Sequence, residues 1–401
     1  MKKALMFALV LALAVAFAAP AFAFRIEGAK DTKFYFGALV YTDLGVWNRD
    51  ADKFRTDLPG QTDRTELVLN LARHSRIRGV IESGAVGAYW ELRLGANKQN
   101  AANASPEYLG NGGAYRTEGA KLYGYYKFGN CTFLAGKTDG HIFSTVAYQN
   151  FGFDNNNHIA GFGWGTIYDT RSAQVRFSQD ISKTFGYDIS LVQPDYYVDN
   201  GTGQVAITTA GARNSLGTFP LAAAKVRLNF GAVSMMPAAW IQYVKWNDLP
   251  GNADDNLTSW GAVLPVVVKA GAFTGTFQAA YGLNMGGILA LQSAFHQYQR
   301  VNGSVKNTTG WNGFFDLAFT AGAVTPHFYM GYDRAENSDV YFGDEYNDRM
   351  MAGVGINWKI TDNFYVVPEF TYYDYGKNVR LPNTPDLGKE WLTGVQFQFI
   401  F

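Results

Sequence analysis

The chain has 401 residues with 34 basic and 34 acidic side chains, so its formal net charge at pH 7 is zero. This balance gives no electrostatic case for nucleic-acid binding, which needs clustered cations to neutralise phosphates. A single cysteine, Cys131, excludes an internal disulfide. Aromatic residues make up 16% of the chain, yet no segment beyond the N-terminal run has the ~18–20 consecutive apolar residues of a membrane helix.

The N-terminal segment predicts export. Two lysines precede an apolar run over residues 4–19, and the small-x-small cleavage site Ala21-Phe22-Ala23 follows. A basic, an apolar and a small-residue region in this order are typical of a secretory signal peptide. The alternative is a membrane anchor, but the run is shorter than the ~20 residues of a spanning helix. We therefore expect residues 1–23 to be cleaved and residues 24–401 to form the mature domain.

Apolar and polar residues then alternate with a period of two. The last segment shows it clearly, because Trp391, Thr393 and Val395 alternate with Gly394 and Gln396. This pattern is typical of strands with one apolar and one polar face. A soluble β-sandwich has the same alternation, so the pattern alone does not choose between a sandwich and a membrane barrel.

The connections favour the membrane barrel. Seven short turns alternate with eight long polar stretches along the chain, which implies sixteen strands. Outer-membrane barrels have short periplasmic turns, longer outer loops and strands of ~9–11 residues, whereas compact soluble domains rarely carry so many loops above ~12–15 residues. We predict an all-β, 16-stranded antiparallel transmembrane β-barrel with long extracellular loops. Its strands are expected at 33–46, 74–82, 88–95, 120–128, 131–137, 171–178, 184–193, 222–230, 233–246, 258–269, 272–283, 310–320, 323–333, 347–359, 363–374 and 389–401.

Several segments resemble the Gram-negative general porins. Residues 395–401, Val-Gln-Phe-Gln-Phe-Ile-Phe, resemble the terminal assembly signal of that family, with Phe397, Phe399 and Phe401 at alternate positions. Residues 121–137 are similar to the hairpin before the family's third loop. Residues 75–79 and 171–178 resemble the second strand and the strand after that loop. The sequence departs from the family at Lys137, where the family has arginine, and in the third loop, where only residues 149–152 are loosely similar.

The resemblance implies a location and a set of partners. It implies the outer membrane of a Gram-negative bacterium, a homotrimer, contact with outer-membrane lipid and lipopolysaccharide, and insertion by the barrel-assembly machinery. It also implies that the third loop, about residues 138–170, folds into the lumen and narrows it. Acidic residues on such a loop face basic residues on the barrel wall, and the resulting transverse field favours small polar solutes.

Alternation predicts which cations line the lumen, since a charge on the lipid face costs ~2–4 kcal/mol near the midplane. We predict that the basic wall of the constriction consists of Arg76, Arg78, Arg93 and Lys137. Further lumen-lining residues are predicted to be Lys127, Arg176, Lys225 and Arg227. The alternative is that all of these line the pore away from its narrowest point.

The opposing acids are expected in the third loop, where we predict Asp154 first and Asp139 second. The alternative for Asp154 is a local turn before three asparagines. Residues 161–165, Gly-Phe-Gly-Trp-Gly, are interpreted as the flexible end of this loop. Aromatic residues near strand ends are assigned to the interfacial girdles: Trp47, Trp246, Trp260, Trp311, Trp358, Trp391, Tyr372 and Tyr373.

These features predict a porin for passive diffusion of small hydrophilic solutes and ions, with a weak preference for anions. The alternative is a channel selective for sugar, phosphate or organic anion, which a run of lumen aromatics or a tight arginine cluster would favour. Tyr123, Tyr125 and Tyr365 leave room for that alternative. An outer-membrane hydrolase would need Ser, His and Asn placed together, and the five histidines lack metal-ligand spacing. We expect no enzyme activity, no metal and no cofactor.

Overall fold

A computed structural model describes residues 32–50, 64–72, 75–94, 118–139, 164–167, 171–193, 198–199, 205–206, 215–216, 220–246, 254, 256–285, 299–341, 346–377, 379 and 386–401. These residues form a closed barrel of sixteen antiparallel strands. The strands are β1 (Thr32–Asp50), β2 (Arg64–Leu71 and Arg76–Ser83), β3 (Val86–Arg93), β4 (Glu118–Phe128), β5 (Cys131–Thr138), β6 (Ser172–Asp180), β7 (Phe185–Val192), β8 (Leu221–Asn229), β9 (Val233–Met235 and Ala238–Trp246), β10 (Asn256–Ala270), β11 (Phe273–Leu283), β12 (Thr309–Phe319), β13 (Val324–Glu336), β14 (Asn347–Lys359), β15 (Phe364–Asp374) and β16 (Lys389–Ile400). Short two- and three-residue strands lie in the loops at 198–199, 205–206, 215–216, 299–301 and 304–306.

The barrel closes between its first and last strands. β1 pairs with β16 from Leu39–Ile400 to Asp50–Lys389, and with both parts of β2 on its other side. Backbone hydrogen bonds between Ala38 and Phe401, at 2.8 and 3.0 Å, extend the closure to the C-terminus. Each barrel strand therefore has two neighbours and no edge is left open. The predicted sixteen-stranded antiparallel barrel is confirmed. In the described part of the chain, no helix is long and apolar enough to cross a membrane.

The sequence analysis placed no strand between its first two strands, 33–46 and 74–82, and this prediction is wrong. β1 runs on to Asp50, and Arg64–Leu71 pairs with it over eight residue pairs. The polar start of this segment resembles a loop, and only its pairing with the extended β1 reveals a strand. The two parts of β2 are separated by residues 72–75, where the Ser75 hydroxyl accepts a hydrogen bond from the Tyr41 amide at 2.9 Å. That side chain replaces a missing backbone partner.

β9 is also interrupted, and its sequence gives the reason. Proline has no backbone N–H and cannot donate a hydrogen bond to a neighbouring strand. Pro237 lies between the two parts of β9, where its carbonyl accepts a hydrogen bond from the Val226 amide at 2.9 Å. Tight turns join alternate strands; Gly84 and Gly129 in two of them have φ of +57°, which glycine adopts without a steric penalty.

The two faces of the barrel differ as alternation predicts. Apolar side chains such as Leu67, Leu69 and Leu122, which are 78%, 72% and 67% exposed, lie on the outer face. Trp260, Trp311 and Trp358 are exposed on the same face. Trp47 and Tyr373 depart from their predicted girdle positions, because both are buried inside the barrel in one hydrophobic cluster. Each lies on the inner parity of its strand, so they fill the lumen instead of meeting lipid.

Candidate functional site

The inner wall of β2 and β3 holds three of the predicted cations. Antiparallel pairing places Arg76 opposite Arg93 and Arg78 opposite Glu91. Directly paired residues project from the same face of a sheet. Glu91 is 2% exposed and lies inside the barrel, so the three arginines line the lumen together.

These cations are neutralised to different degrees. Arg76 Nη1 lies 3.0 Å from Glu91 Oε1, and the Tyr89 hydroxyl donates to Glu91 Oε2 at 2.9 Å. Lys127, nearer the turn, lies 3.6 Å from Glu82. Arg78 is exposed, and no described residue forms an ion pair or hydrogen bond with it. Its guanidinium is therefore open to ions and solutes in the lumen.

Tyrosines form a track beside Arg78. The rings of Tyr89 and Tyr123 are stacked at 5.3 Å with 22° between their planes, and the Tyr125 ring follows at 6.4 Å from Tyr123. The Tyr125 hydroxyl donates to Glu82 at 2.5 Å. Tyr89 is the diagonal neighbour of Arg78 across the β2–β3 pair. Tyrosines and a free cation thus share one strip of the wall.

Asp139 begins the third loop and is surrounded by cations. Its carboxylate pairs with Lys121 of β4 and lies 2.9 Å from Arg171 Nε. Its carbonyl accepts a hydrogen bond from Arg176 Nη2 at 2.9 Å. Asp139 therefore ties the start of the loop to the wall on both sides. Sequence reasoning named Asp139 but missed Lys121 and Arg171, although both lie in predicted strands, 120–128 and 171–178.

Lys137 does not lie where alternation predicted it. Cross-strand pairing places Lys137 opposite Leu122 and Ala173, and both of those residues are exposed on the outer face. The lumen prediction for Lys137 is wrong because Leu134, an apolar residue, takes an inner position between Tyr125 and Arg176. With Leu134 inside, a period of two puts residue 137 outside.

The remaining predicted cations are paired on the inner wall. Lys225 Nζ lies 3.6 Å from Asp188. Arg227 contacts Asp180 at 2.9 Å and Asp188 at 3.3 Å. Arg176 also donates to Gln174 through Nε at 3.1 Å. All three cations line the lumen side of β6 to β8, but carboxylates or amides already hold them.

Residues 164–167 lie against the inner wall on the far side of the barrel from β5. Trp164 is 1% exposed and packs with residues of β1 and β12 to β16: Trp47, Phe314, Tyr329, Met351, Tyr373 and Leu392. Ile167 packs in a second buried cluster, which includes Leu221 and Trp240. Of the end predicted to be flexible, the described residue Trp164 is instead packed against the wall.

An anchor holds this segment in place. Asp333 Oδ2 accepts a hydrogen bond from the Gly165 amide at 3.0 Å and forms an ion pair with Arg349 Nε at 3.0 Å. The Arg349 guanidinium lies over the Trp164 ring at 4.4 Å, a cation–π contact. A Cβ on Gly331 would come within 2.3 Å of the Trp164 carbonyl oxygen. The close approach of loop and wall therefore requires glycine at this position.

Carboxylates on this far wall were missed by sequence reasoning. Asp316 lies 3.1 Å from His327 Nδ1, and Glu369 accepts a hydrogen bond from Tyr329 at 2.7 Å. The alternation of the strands predicts that Asp316 and Glu369 face the lumen. It does not predict that they contact His327 and Tyr329. The other predicted acid, Asp154, lies outside the described residues. Within the described ranges, no group of three or more His, Cys, Asp or Glu side chains could hold a metal ion.

The predicted assembly-signal residues lie at the seam of the barrel. Phe397 and Phe399 are on the outer parity of β16, and the Phe399 ring stacks on Phe364 of β15 at 4.8 Å. Phe401 pairs with β1 through its backbone.

Neither a protein-family model nor a curated protein sequence matches the chain. Solved structures do match. The outer membrane channel DcaP of Acinetobacter baumannii superposes with a TM-score of 0.70 at 13% identity, covering 94% of this chain and 99% of that one. Salmonella typhi OmpF, solved in complex with daunomycin, gives 0.59 at 11% identity, with 94% and 100% covered. A loop L8 deletion mutant of OmpT from Vibrio cholerae gives 0.56 at 12% identity, with 93% and 100% covered.

These similarities define a class of fold. The chain has the closed sixteen-stranded barrel of Gram-negative outer-membrane porins, as the family resemblance of the sequence implied. At identities of 11–13% the likeness concerns the fold, and any solute must be argued from the lumen of this chain itself.

Proposed function

We propose that the chain forms an outer-membrane channel for passive diffusion of small hydrophilic solutes and ions, with a preference for anions. The observation that carries this proposal is Arg78, an exposed guanidinium on the inner wall that no described residue neutralises. Rings of charged side chains at close quarters set which ions pass through a pore. The channel needs no enzymatic chemistry and no cofactor for this role.

The described residues of the third loop favour a route for water and solutes that lies to one side of the lumen. Trp164 and its cluster fill the side of the lumen lined by β1 and β12 to β16, whereas Arg78 on β2 is exposed. Water and solutes would then pass along β2 to β6, between this wall and the third loop. A positive wall in a confined, low-dielectric opening raises the local concentration of anions.

The envelope setting is part of the same proposal. Residues 1–23 would direct export and be cleaved, and the exposed apolar outer face would contact outer-membrane lipid and lipopolysaccharide. The barrel-assembly machinery would recognise the end of β16, and three copies would form a homotrimer.

Planar-bilayer recording of the purified protein tests the channel proposal. We expect ohmic conductance steps in multiples of three and, under a potassium chloride gradient, a reversal potential of the sign that chloride permeation gives. A protein that is folded but conducts no current would contradict the channel, and a clear cation preference would contradict its selectivity.

A second candidate function is a solute-selective channel. The stacked rings of Tyr89 and Tyr123 beside Arg78 favour it, because an aromatic track next to a cation can hold a solute during passage. In the same bilayer assay, solute-specific reduction of the chloride current at millimolar concentration would support this candidate. A current that sugars, phosphate and organic anions do not change would contradict the solute-selective channel and support general diffusion.

Replacing the acid at the base of the third loop should increase anion preference. Asp139→Asn removes a carboxylate that pairs with Lys121 and Arg171, so both cations then face the lumen. We expect the chloride-over-potassium permeability ratio to rise about two- to five-fold, after allowance for salt screening. The matched control is Asp362→Asn in an exposed turn, where the partner is Lys359 at 2.6 Å. A ratio that stays constant in Asp139→Asn, or rises equally in the control, would contradict this role.

The C-terminal residue should control assembly. Deleting Phe401 removes both of its backbone hydrogen bonds with Ala38 and the terminal aromatic ring. We expect a several-fold lower amount of folded, heat-modifiable protein in the outer membrane. Phe401→Tyr keeps an aromatic end and the backbone and should assemble normally. Normal assembly of the deletion variant would show that Phe401 is not part of the signal.

A further inference from the structure

We propose that the lumen wall contains a binding site for small monocarboxylates that bear an aromatic ring, formed by Arg78 with Tyr89 and Tyr123. This inference rests on the proposed channel function and names the solute class that its tyrosine track fits. Three properties of the site select this class: its free charge, its ring surface and the spacing between them.

The free charge selects a monoanion. Arg76 and Lys127, two other cations of this wall, are held by Glu91 and Glu82. Arg78 alone of these three has no carboxylate partner among the described residues. One planar guanidinium matches one carboxylate through two parallel N–H···O hydrogen bonds. A phosphate dianion would need further free donors, and these neighbours do not offer them.

The ring surface selects an apolar, planar group. The hydroxyls of Tyr89 and Tyr125 already donate to Glu91 and Glu82, so the polar ends of these rings are engaged. What Tyr89 and Tyr123 present to a solute is the surface of two rings held 5.3 Å apart. Aromatic rings pack on such a surface in offset or edge-to-face geometry. A sugar would find fewer free donors here, because the Tyr89 and Tyr125 hydroxyls already donate to carboxylates.

The spacing joins the two features. Arg78 is paired with Glu91 and Val80 with Tyr89, so Tyr89 is the diagonal neighbour of Arg78. Diagonal neighbours on antiparallel strands have backbones ~7–8 Å apart, within reach of aromatic and long side chains, so one small solute can contact both groups. Gly37 lies beside Arg78 on β1, and a Cβ built there would be 3.4 Å from Arg78 Nε. The absence of a side chain at Gly37 leaves the guanidinium uncovered on that side.

The test compares how strongly two monocarboxylates of similar size reduce the chloride current of the full-length channel. Sodium benzoate carries a planar ring and sodium cyclohexanecarboxylate does not. We expect benzoate to reduce the current at about five-fold lower concentration than cyclohexanecarboxylate. Tyr123→Leu should remove this difference, and Tyr123→Phe should retain it. Arg78→Gln should weaken the effect of both compounds. Tyr126→Leu, on the outer face of the same strand, should behave as the wild type.

The outcomes separate this inference from the channel proposal. Equal potency of the two compounds in the wild type, or an unchanged difference in Tyr123→Leu, overturns the aromatic site while the chloride current still supports the channel. A folded protein without chloride current overturns the proposed function and this site with it.

Discussion

Replacing Arg78 with glutamine is expected to lower the chloride-over-potassium permeability ratio about three- to ten-fold. The variant removes a unit charge that faces the lumen without a carboxylate partner among the described residues. That charge attracts a passing anion and repels a passing cation, so its removal changes the ratio through both ions. Salt screens part of the effect. Reversal potentials in a potassium chloride gradient give the ratio directly.

The control for this prediction is the same substitution on the outer face. Arg334 projects outward, and its guanidinium lies 3.2 Å above the Tyr346 ring. Arg334→Gln changes the net charge of the protein equally, yet it should leave the reversal potential as in the wild type. If Arg78→Gln keeps the wild-type reversal potential, or if Arg334→Gln shifts it equally, Arg78 does not face the conducting path.

The second large effect is expected from Asp333→Leu, which removes the contacts of Asp333 with Arg349 and with the Gly165 amide. Asp333 is 1% exposed and holds both Arg349 and the Gly165 amide. Removing one partner of a buried ion pair costs about 3–5 kcal/mol, because the remaining charge stays buried. We expect a lower heat-modification temperature and a noisier single-channel current, since residues 164–167 lose their attachment. Asp374→Leu, whose carboxylate lies 3.9 Å from Lys389 on the outer face, is the control.

A double variant separates the two consequences of losing Asp333. Asp333→Leu with Arg349→Met removes both charges and should recover much of the stability. It does not restore an acceptor for the Gly165 amide, so the current should stay noisy. A quiet current and an unchanged heat-modification temperature in Asp333→Leu would show that this contact does not hold the loop.

The strand count was predictable because its signals are local. Alternation and turn residues each depend on a few neighbouring positions, and the seven tight turns fall where the sequence placed them. The segment Arg64–Leu71 was missed because its partner, the end of β1, is recognisable only from pairing. Lys137 was assigned to the wrong face because β5 is short and Leu134, an apolar residue, lies on its inner face. The alternation of apolar and polar residues therefore does not show which face of β5 is the inner one.

The far side of the lumen was much less predictable. Alternation correctly puts Asp333 on the inner face, but its hydrogen bond to Gly165 joins positions 168 residues apart. No local pattern encodes such a contact. The small inner residues were the available signal, since Gly331 and Gly353 leave room for Trp164 and for the Tyr329 ring. A glycine at an inner position can therefore mark where another segment packs against the wall.

Chemical modification of position 78 during current recording tests whether ions pass along the wall that carries Arg78. In a Cys131→Ser background, Arg78→Cys is treated with a negatively charged methanethiosulfonate reagent in the bilayer. We expect a rapid fall in chloride current and a shift toward cation preference. Met351→Cys, buried in the Trp164 cluster, should not react. If modification of position 78 leaves the current unchanged, or if the reagent reduces the current of Met351→Cys instead, ions do not pass along the wall that carries Arg78.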